Sequence, residues 1–320
     1  MSNKFAIWPA AETLGTVGAE YAVATQQQPQ IMIWKRRQSA DSDKRERLHS
    51  TFRRTHANLE RQTVAALRPV FGEMADRITK RFNDAGTVAV HVLELWHQAE
   101  LATPFNAAMR PCWWRMAEAG IHFEADWVGT ARPQFYRPTF TQQELPSIDV
   151  DLSAFLQNSL RTWMKNRMDG VWAEVSKTMH LRIDRCLRRG LRDGLTLKEM
   201  AKELQKTLKS LEEYQAVRIA RTETTGGMNT GGQLERVDLG IEYKEWISTL
   251  DSRTRGNKVK DRFDHISSNG EVVGNKDVFV VSAQKLMYPA DGSQGASAGN
   301  ICNCRCCAVG AWPKSPLSVR

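Results

Sequence analysis

No apolar run in this sequence approaches the roughly 20 residues that a membrane-crossing helix needs, so no spanning segment is expected. The opening MSNKFAIWPAAETLG has one lysine, no long apolar block and no small-x-small cleavage site. Export is therefore not expected either, and the chain reads as a soluble protein made in a cytosol. A disulfide framework is equally unexpected. Of the six cysteines, Cys112 and Cys186 stand alone and four crowd into 302–307, in a chain of 320 residues too large to need staples. A second C-x-x-C, which would make a strong zinc motif, is missing. In the basic segment at 161–209, the aromatic interleaving that marks a single-strand nucleic-acid groove is missing too.

What is present is enough apolar residue, 41%, to build real cores, in a length that suits two domains better than one. Lys and Arg outnumber Asp and Glu by 45 to 36, which permits an anionic partner without identifying it. Residues 1–34 show no sustained period and end in TQQQPQ, which reads as an arm. From about 44 a helical pattern follows through Leu48, Phe52, Leu59, Leu67, Phe71, Met74, Ile78 and Phe82, with Pro69 expected to kink it. A further apolar stretch covers 88–101. The Trp- and Pro-rich segment at 103–148 reads as an irregular packed loop. Helical period returns from about 151 and ends at Gly190 and Gly194. Thr196 with Glu199 forms a capping box that opens a helix, and Ser210 with Glu213 repeats the device, opening another through ARTETT at 220–225. Gly226, Gly227, Gly231 and Gly232 either bend that helix or let another backbone approach closely.

After Gly240 the period becomes two. Ile241, Tyr243 and Ile247 alternate with Trp246 and Leu250, and short strands are expected at 271–273 and 278–281. The expected architecture is α+β: a largely helical N-terminal region, then a small C-terminal module of helices packed on a short, mainly antiparallel sheet. The expected divisions are an arm at 1–34, a helical docking region at 35–194, the module at 195–312 and a tail at 313–320.

The last third carries an ordered series of motifs: ARTETT, Tyr243-Lys244-x-Trp246, Asp251-x-Arg253-Thr254-Arg255, His265, Asn269-Gly270-Glu271-Val272-Val273, Met287-Tyr288-Pro289 and Asn303-Cys304-Arg305-Cys306. Over about 195–312 this series resembles the phage Mu F-like family of minor head proteins. The spacer from Asn257 to Asp264 ahead of His265 is longer than is usual there, and Cys302 and Cys307 exceed the family pattern. The resemblance implies a minor capsid protein for head morphogenesis in a tailed bacteriophage. Such a protein joins the procapsid near the portal vertex and supports head assembly and DNA packaging or ejection. It also implies the portal protein and the major capsid protein or scaffold as partners, with no membrane. The setting is the virion head, and the host cytoplasm during assembly. An established reaction is not part of that picture.

The residues admit other chemistry. Asp251, Arg253, Arg255 and His265 offer a phosphodiesterase-like set, which would make the module a nucleic-acid-processing enzyme or toxin. The bland reading has Asp251 capping a turn and the arginines pairing with carboxylates. Cys302, Cys304 and Cys307 with His265 offer a zinc knuckle, against a reading as small buried thiols without a cofactor. Residues 161–209 hold 13 Lys or Arg against six Asp or Glu. Within them Arg182, Arg185, Arg188, Arg189 and Arg192 form a basic stripe that would lie along DNA phosphates or simply face solvent. His91, His97, His122 and His180 read as structural or surface groups.

Overall fold

The computed structural model describes residues 32–33, 41–85, 99–131 and 152–312. Most of the expected arm, residues 88–98 of the apolar stretch and the tail from 313 lie outside the described residues. The elements are β1 (Met32–Ile33), α1 (Asp41–Ala85), α2 (Ala99–Ala131), α3 (Ala154–Arg192), α4 (Leu197–Asp238), β2 (Tyr243–Ile247), β3 (Glu271–Gly274), β4 (Phe279–Val281), β5 (Gln284–Leu286), α5 (Ala298–Ile301) and β6 (Cys307–Ala311). Long helices precede a small antiparallel sheet, as the α+β reading expects.

Two local expectations are corrected. The segment expected to be an irregular loop is helical to Ala131, despite Pro104 and Pro111. Leu101, Phe105, Met109, Cys112, Trp113, Met116 and Ile121 are buried at helical steps, and that stripe outweighs the two donors that proline removes. Residues 132–148 of the segment lie outside the described residues. The second capping signal, Ser210 with Glu213, opens nothing, because α4 runs unbroken from Leu197 to Asp238. Leu204, Leu208, Ala216 and Ile219 stay buried on one continuous face through it. The first capping box forms: the Thr196 N–H donates to Glu199 Oε2 at 2.8 Å and the Glu199 N–H donates to Thr196 Oγ1 at 3.3 Å. Helices α3 and α4 end alike, with Gly194 and Gly240 at φ of 70° and 65°. Leu195 N bonds Gly190 O and Ile241 N bonds Arg236 O, both at 2.9 Å, closing Schellman turns that only glycine makes without strain.

The chain forms two compact units, each discontinuous in sequence. One comprises the described parts of 58–115 and 161–220. It is four helical segments packed through apolar side chains, with Phe105 set between Phe71 and Trp172 at ring separations of 6.3 and 5.4 Å. The other comprises the described parts of 1–57, 116–160 and 221–320, and it carries the sheets. Its main sheet runs β1-β3-β2-β6, all antiparallel, with Lys244 opposite Val273 and Gly310. β4 and β5 form a separate hairpin. The expected two-faced alternation in β2 is corrected as well: Lys244, Glu245, Trp246 and Ile247 are all buried, and the strand ends before Leu250, which is exposed. Both faces of the strand are covered, so neither needs to be polar.

Within the sheet-bearing unit, α2 and α4 touch backbone to backbone. A Cβ on Gly120 would sit 2.0 Å from the Met228 carbonyl oxygen, and one on Gly231 would sit 1.9 Å from that of Ala117. Of the two readings left open for the α4 glycines, Gly231 therefore serves close approach. The contact brings polar side chains of both helices to β6, which among the described residues pairs with β2 alone. Asn229 accepts from Ala308 N at 2.8 Å and donates to Cys306 O at 3.1 Å. Arg236 donates to Ala308 O at 2.9 Å, Glu124 accepts from Gly310 N at 2.7 Å, and Trp127 donates to Gly310 O at 2.8 Å. These side chains take the place of a neighbouring strand and satisfy the edge. Arg236 and Glu124 also pair with each other at 2.5 Å, both fully buried.

Removing one member of such a pair strands the other as a buried charge. Arg236→Met should therefore cost about 3–5 kcal/mol in chemical denaturation, and adding Glu124→Gln to it should recover part of that loss.

Candidate functional site

The site is built on one stripe of α4. Thr222, Thr225 and Asn229 project at helical spacing, and each binds the backbone of the segment that leads into β6. Thr222 Oγ1 accepts from Asn303 N at 3.0 Å, and the Thr225 hydroxyl donates to Cys304 O. His56 Nε2 lies 2.9 Å from the same Thr225 hydroxyl. The threonines of ARTETT thus hold the turn at Asn303 and the Cys304 carbonyl, and Asn229 continues the grip to Cys306 and Ala308.

A second loop is tied to that segment. Asp251 accepts two bonds from the Arg305 guanidinium, at 2.5 and 2.8 Å, and Arg253 N and Thr254 Oγ1 also donate to it. The Arg305 fork holds the Asp251 carboxyl well below the usual carboxylate range. The Arg253 side chain is exposed and only 3.6 Å from Asp251. Arg255 donates to Cys302 O, and Thr249 Oγ1 donates to Arg305 O at 2.9 Å.

His265 is 1% exposed, under the edge of Trp246 at a ring separation of 5.5 Å. Its Nε2 lies 2.8 Å from Asn300 Oδ1. Asn300 Nδ2 in turn faces Val281 O and Gln284 Oε1, each at 3.2 Å, which leaves its oxygen for the histidine. Nε2 must therefore carry a proton, and in the neutral ring Nδ1 is bare. Nδ1 points at Cys304 Sγ, 3.5 Å away, and Cys306 Sγ, 3.7 Å away. A hydrogen bond between the two free thiols draws Cys304 below the ordinary thiol value and sends Cys306, which burial also raises, well above it.

Of the four residues offered as a phosphodiesterase set, Asp251 and Arg253 lie 3.6 Å apart, and the polar groups of three are bonded to other parts of the chain. Asp251 is engaged by Arg305, Arg255 by the Cys302 carbonyl and His265 by Asn300 and two sulfurs. The zinc knuckle offered through His265, Cys302, Cys304 and Cys307 also changes membership. His265, Cys304 and Cys306 come together, and Cys302 and Cys307 do not join them. Residues two apart on an extended segment share a face, which groups 304 with 306 and turns Cys307 away. Cys307 is fully buried near Glu124, Arg236 and Glu245. Arg305 and Cys306 stand inside a quoted motif and could have been singled out there. Asn300 had no signal, and Glu124 only the weak one of a carboxylate within an apolar stripe.

Lys244 is fully buried in the same unit. It donates to Asn275 O at 3.0 Å, lies 2.9 Å from Met287 Sδ and sits 5.4 Å from the centre of the Phe279 ring. Burial pushes its ammonium down to about 6, with the nearby Arg236 adding to the shift. In the helical unit, Arg182 lies over the Tyr214 ring at 5.9 Å, and Arg185, Arg188, Arg189 and Arg192 are exposed on α3. Arg188 pairs with Asp184 at 2.8 Å, Arg192 with Asp193 at 3.1 Å and Arg189 with Glu203 at 3.7 Å. Exposed pairs of this kind exchange readily for other anions.

Residues 182–309 match the family model described as Phage Mu protein F like protein, a span that contains the motif series through Cys306 and starts inside α3. No curated protein and no solved structure matches the chain. No helix among the described residues is long and apolar enough to cross a membrane.

The depressed value of Lys244 fixes the sign of a pH effect. Between about 6 in the folded chain and about 10.4 unfolded, the unfolded state binds the extra proton, so the lysine's contribution to stability improves as pH rises. From pH 7 to 8.5 the wild type should gain about 2 kcal/mol relative to Lys244→Met, measured by urea denaturation at each pH.

Proposed function

We propose that this chain is a head morphogenesis protein of a tailed bacteriophage, carried in the virion. The match of residues 182–309 to the Phage Mu protein F like family carries the reading. The internal use of the motif side chains supports it. Thr222, Thr225, Asp251 and Arg305 all spend their bonding capacity on holding the chain's own loops and strand end, which suits a part that must persist in an assembled particle. In finer detail, the protein joins the procapsid near the portal vertex, contacts the portal protein and the major capsid protein or scaffold, and assists DNA packaging or ejection.

The exposed arginines of α3 supply the contact to DNA in this reading. They are four side chains on less than two helical turns, three of them held by surface pairs that phosphates can displace.

Gold-labelled or epitope-tagged protein in particles of the phage that carries the gene should map to one vertex of the head. Its absence from purified heads would overturn the reading. Reversing Arg185, Arg188, Arg189 and Arg192 to glutamate should weaken DNA retention at low salt by about tenfold or more, with far-UV dichroism unchanged. An unaltered gel shift removes DNA from the list of partners.

A further inference from the structure

We propose that His265, Cys304 and Cys306 form a transition-metal site, with zinc as the fitting ion, that clamps the loop ending at His265 to the segment entering β6. The donor atoms of all three residues lie within 4.8 Å of one another and all three side chains are buried. Tetrahedral zinc, with bonds of about 2.3 Å to sulfur and about 2.0 Å to nitrogen, places those ligands roughly 3.5 Å apart along an edge. The observed separations from Nδ1 to the two sulfurs are 3.5 and 3.7 Å. Both nitrogen–sulfur edges thus already match a coordination tetrahedron, and the two sulfurs lie within 4.8 Å of each other.

Three further observations point the same way. The Asn300 oxygen fixes the proton on Nε2 and leaves the Nδ1 lone pair aimed at the sulfurs, which is the outer-shell bond that a metal-ligating histidine ordinarily makes. Residues 304 and 306 sit on a segment pinned by the Thr225, Asn229 and Arg305 bonds, so the two thiols are positioned before any metal arrives. Charge also balances: two thiolates, a neutral imidazole and a divalent ion sum to zero, which a buried site requires. Each thiol gives its proton to solvent as its metal bond forms. Among the described residues, three side chains supply ligands to the tetrahedron.

Softness selects the ion. Two thiolates and an imidazole suit zinc or its cobalt substitute and reject magnesium and calcium. The role is structural: in the sheet-bearing unit, the metal adds a cross-link beside the Asp251–Arg305 bridge and joins the same two segments.

The test uses the full chain, reduced and stripped of metal. Titration with cobalt should saturate at one equivalent, with the visible bands of a tetrahedral site and near-ultraviolet thiolate charge transfer. Zinc should displace the cobalt and raise the melting temperature. Cys304→Ser and Cys306→Ser should each diminish the charge-transfer band, whereas Cys302→Ser and Cys307→Ser should leave it intact. Asn300→Ala keeps every ligand and should weaken affinity about 10- to 100-fold without changing the bands, a readout that survives if the cysteine variants fail to fold. A reduced wild type with no cobalt bands and no shift in melting with zinc overturns the proposal. Bands that persist in both Cys304→Ser and Cys306→Ser, or that vanish in Cys302→Ser or Cys307→Ser, overturn the ligand assignment and the proposal with it.

Discussion

The edge of β6 is the constraint on which the sheet-bearing unit depends. Ala308 and Gly310 turn their backbone groups away from β2, and their partners are side chains: Asn229, Arg236, Glu124 and Trp127. A buried ion pair alone is weak evidence of stability, because desolvation offsets much of its attraction. Here the Glu124–Arg236 pair also satisfies backbone that would otherwise be buried without partners, so its removal would expose more than a charge. The arrangement works only where α2 and α4 come within backbone contact, and Gly120 and Gly231 permit that.

The two units are stabilised by different physics. The helical unit relies on apolar stripes, with Phe71, Phe105, Met109, Met179, Ile183 and Leu204 buried. The sheet-bearing unit buries an unusual amount of polarity for its short strands. Lys244, Asn275 and Arg236 share one network, Ser248 reaches the His265 carbonyl, and Asp251 holds Arg305. Networks of this kind are directional, so they specify one arrangement of loops that hydrophobic burial alone would leave degenerate.

The motif series therefore takes on a physical meaning. Threonines one turn apart exist to grip the segment entering β6, Asn269-Gly270 to turn the chain into β3, and Lys244 to fill a gap between Asn275, Met287 and Phe279. The arginines of α3, by contrast, are exposed in the helical unit. They lie within the residues matched to the family but outside the motifs that identify it.

Several features were decided by the sequence alone because they are local. Apolar period marked α1, α3 and α4, the Thr196–Glu199 pair marked a helix start, and glycines marked the ends of α3 and α4. The order of motifs, a string property, carried the family resemblance. Other features required tertiary structure because they depend on partners distant in the chain. Prolines at 104 and 111 argued against a helix that burial of one stripe imposes. Asp251 meets Arg305 across 54 residues, and Glu124 meets Arg236 across 112. The choice of Cys306 over Cys302 and Cys307 beside His265 turned on the path of the segment entering β6, and the bare Nδ1 turned on the orientation of Asn300. Spacing names candidate ligands. Only the path of the backbone decides which of them face one point.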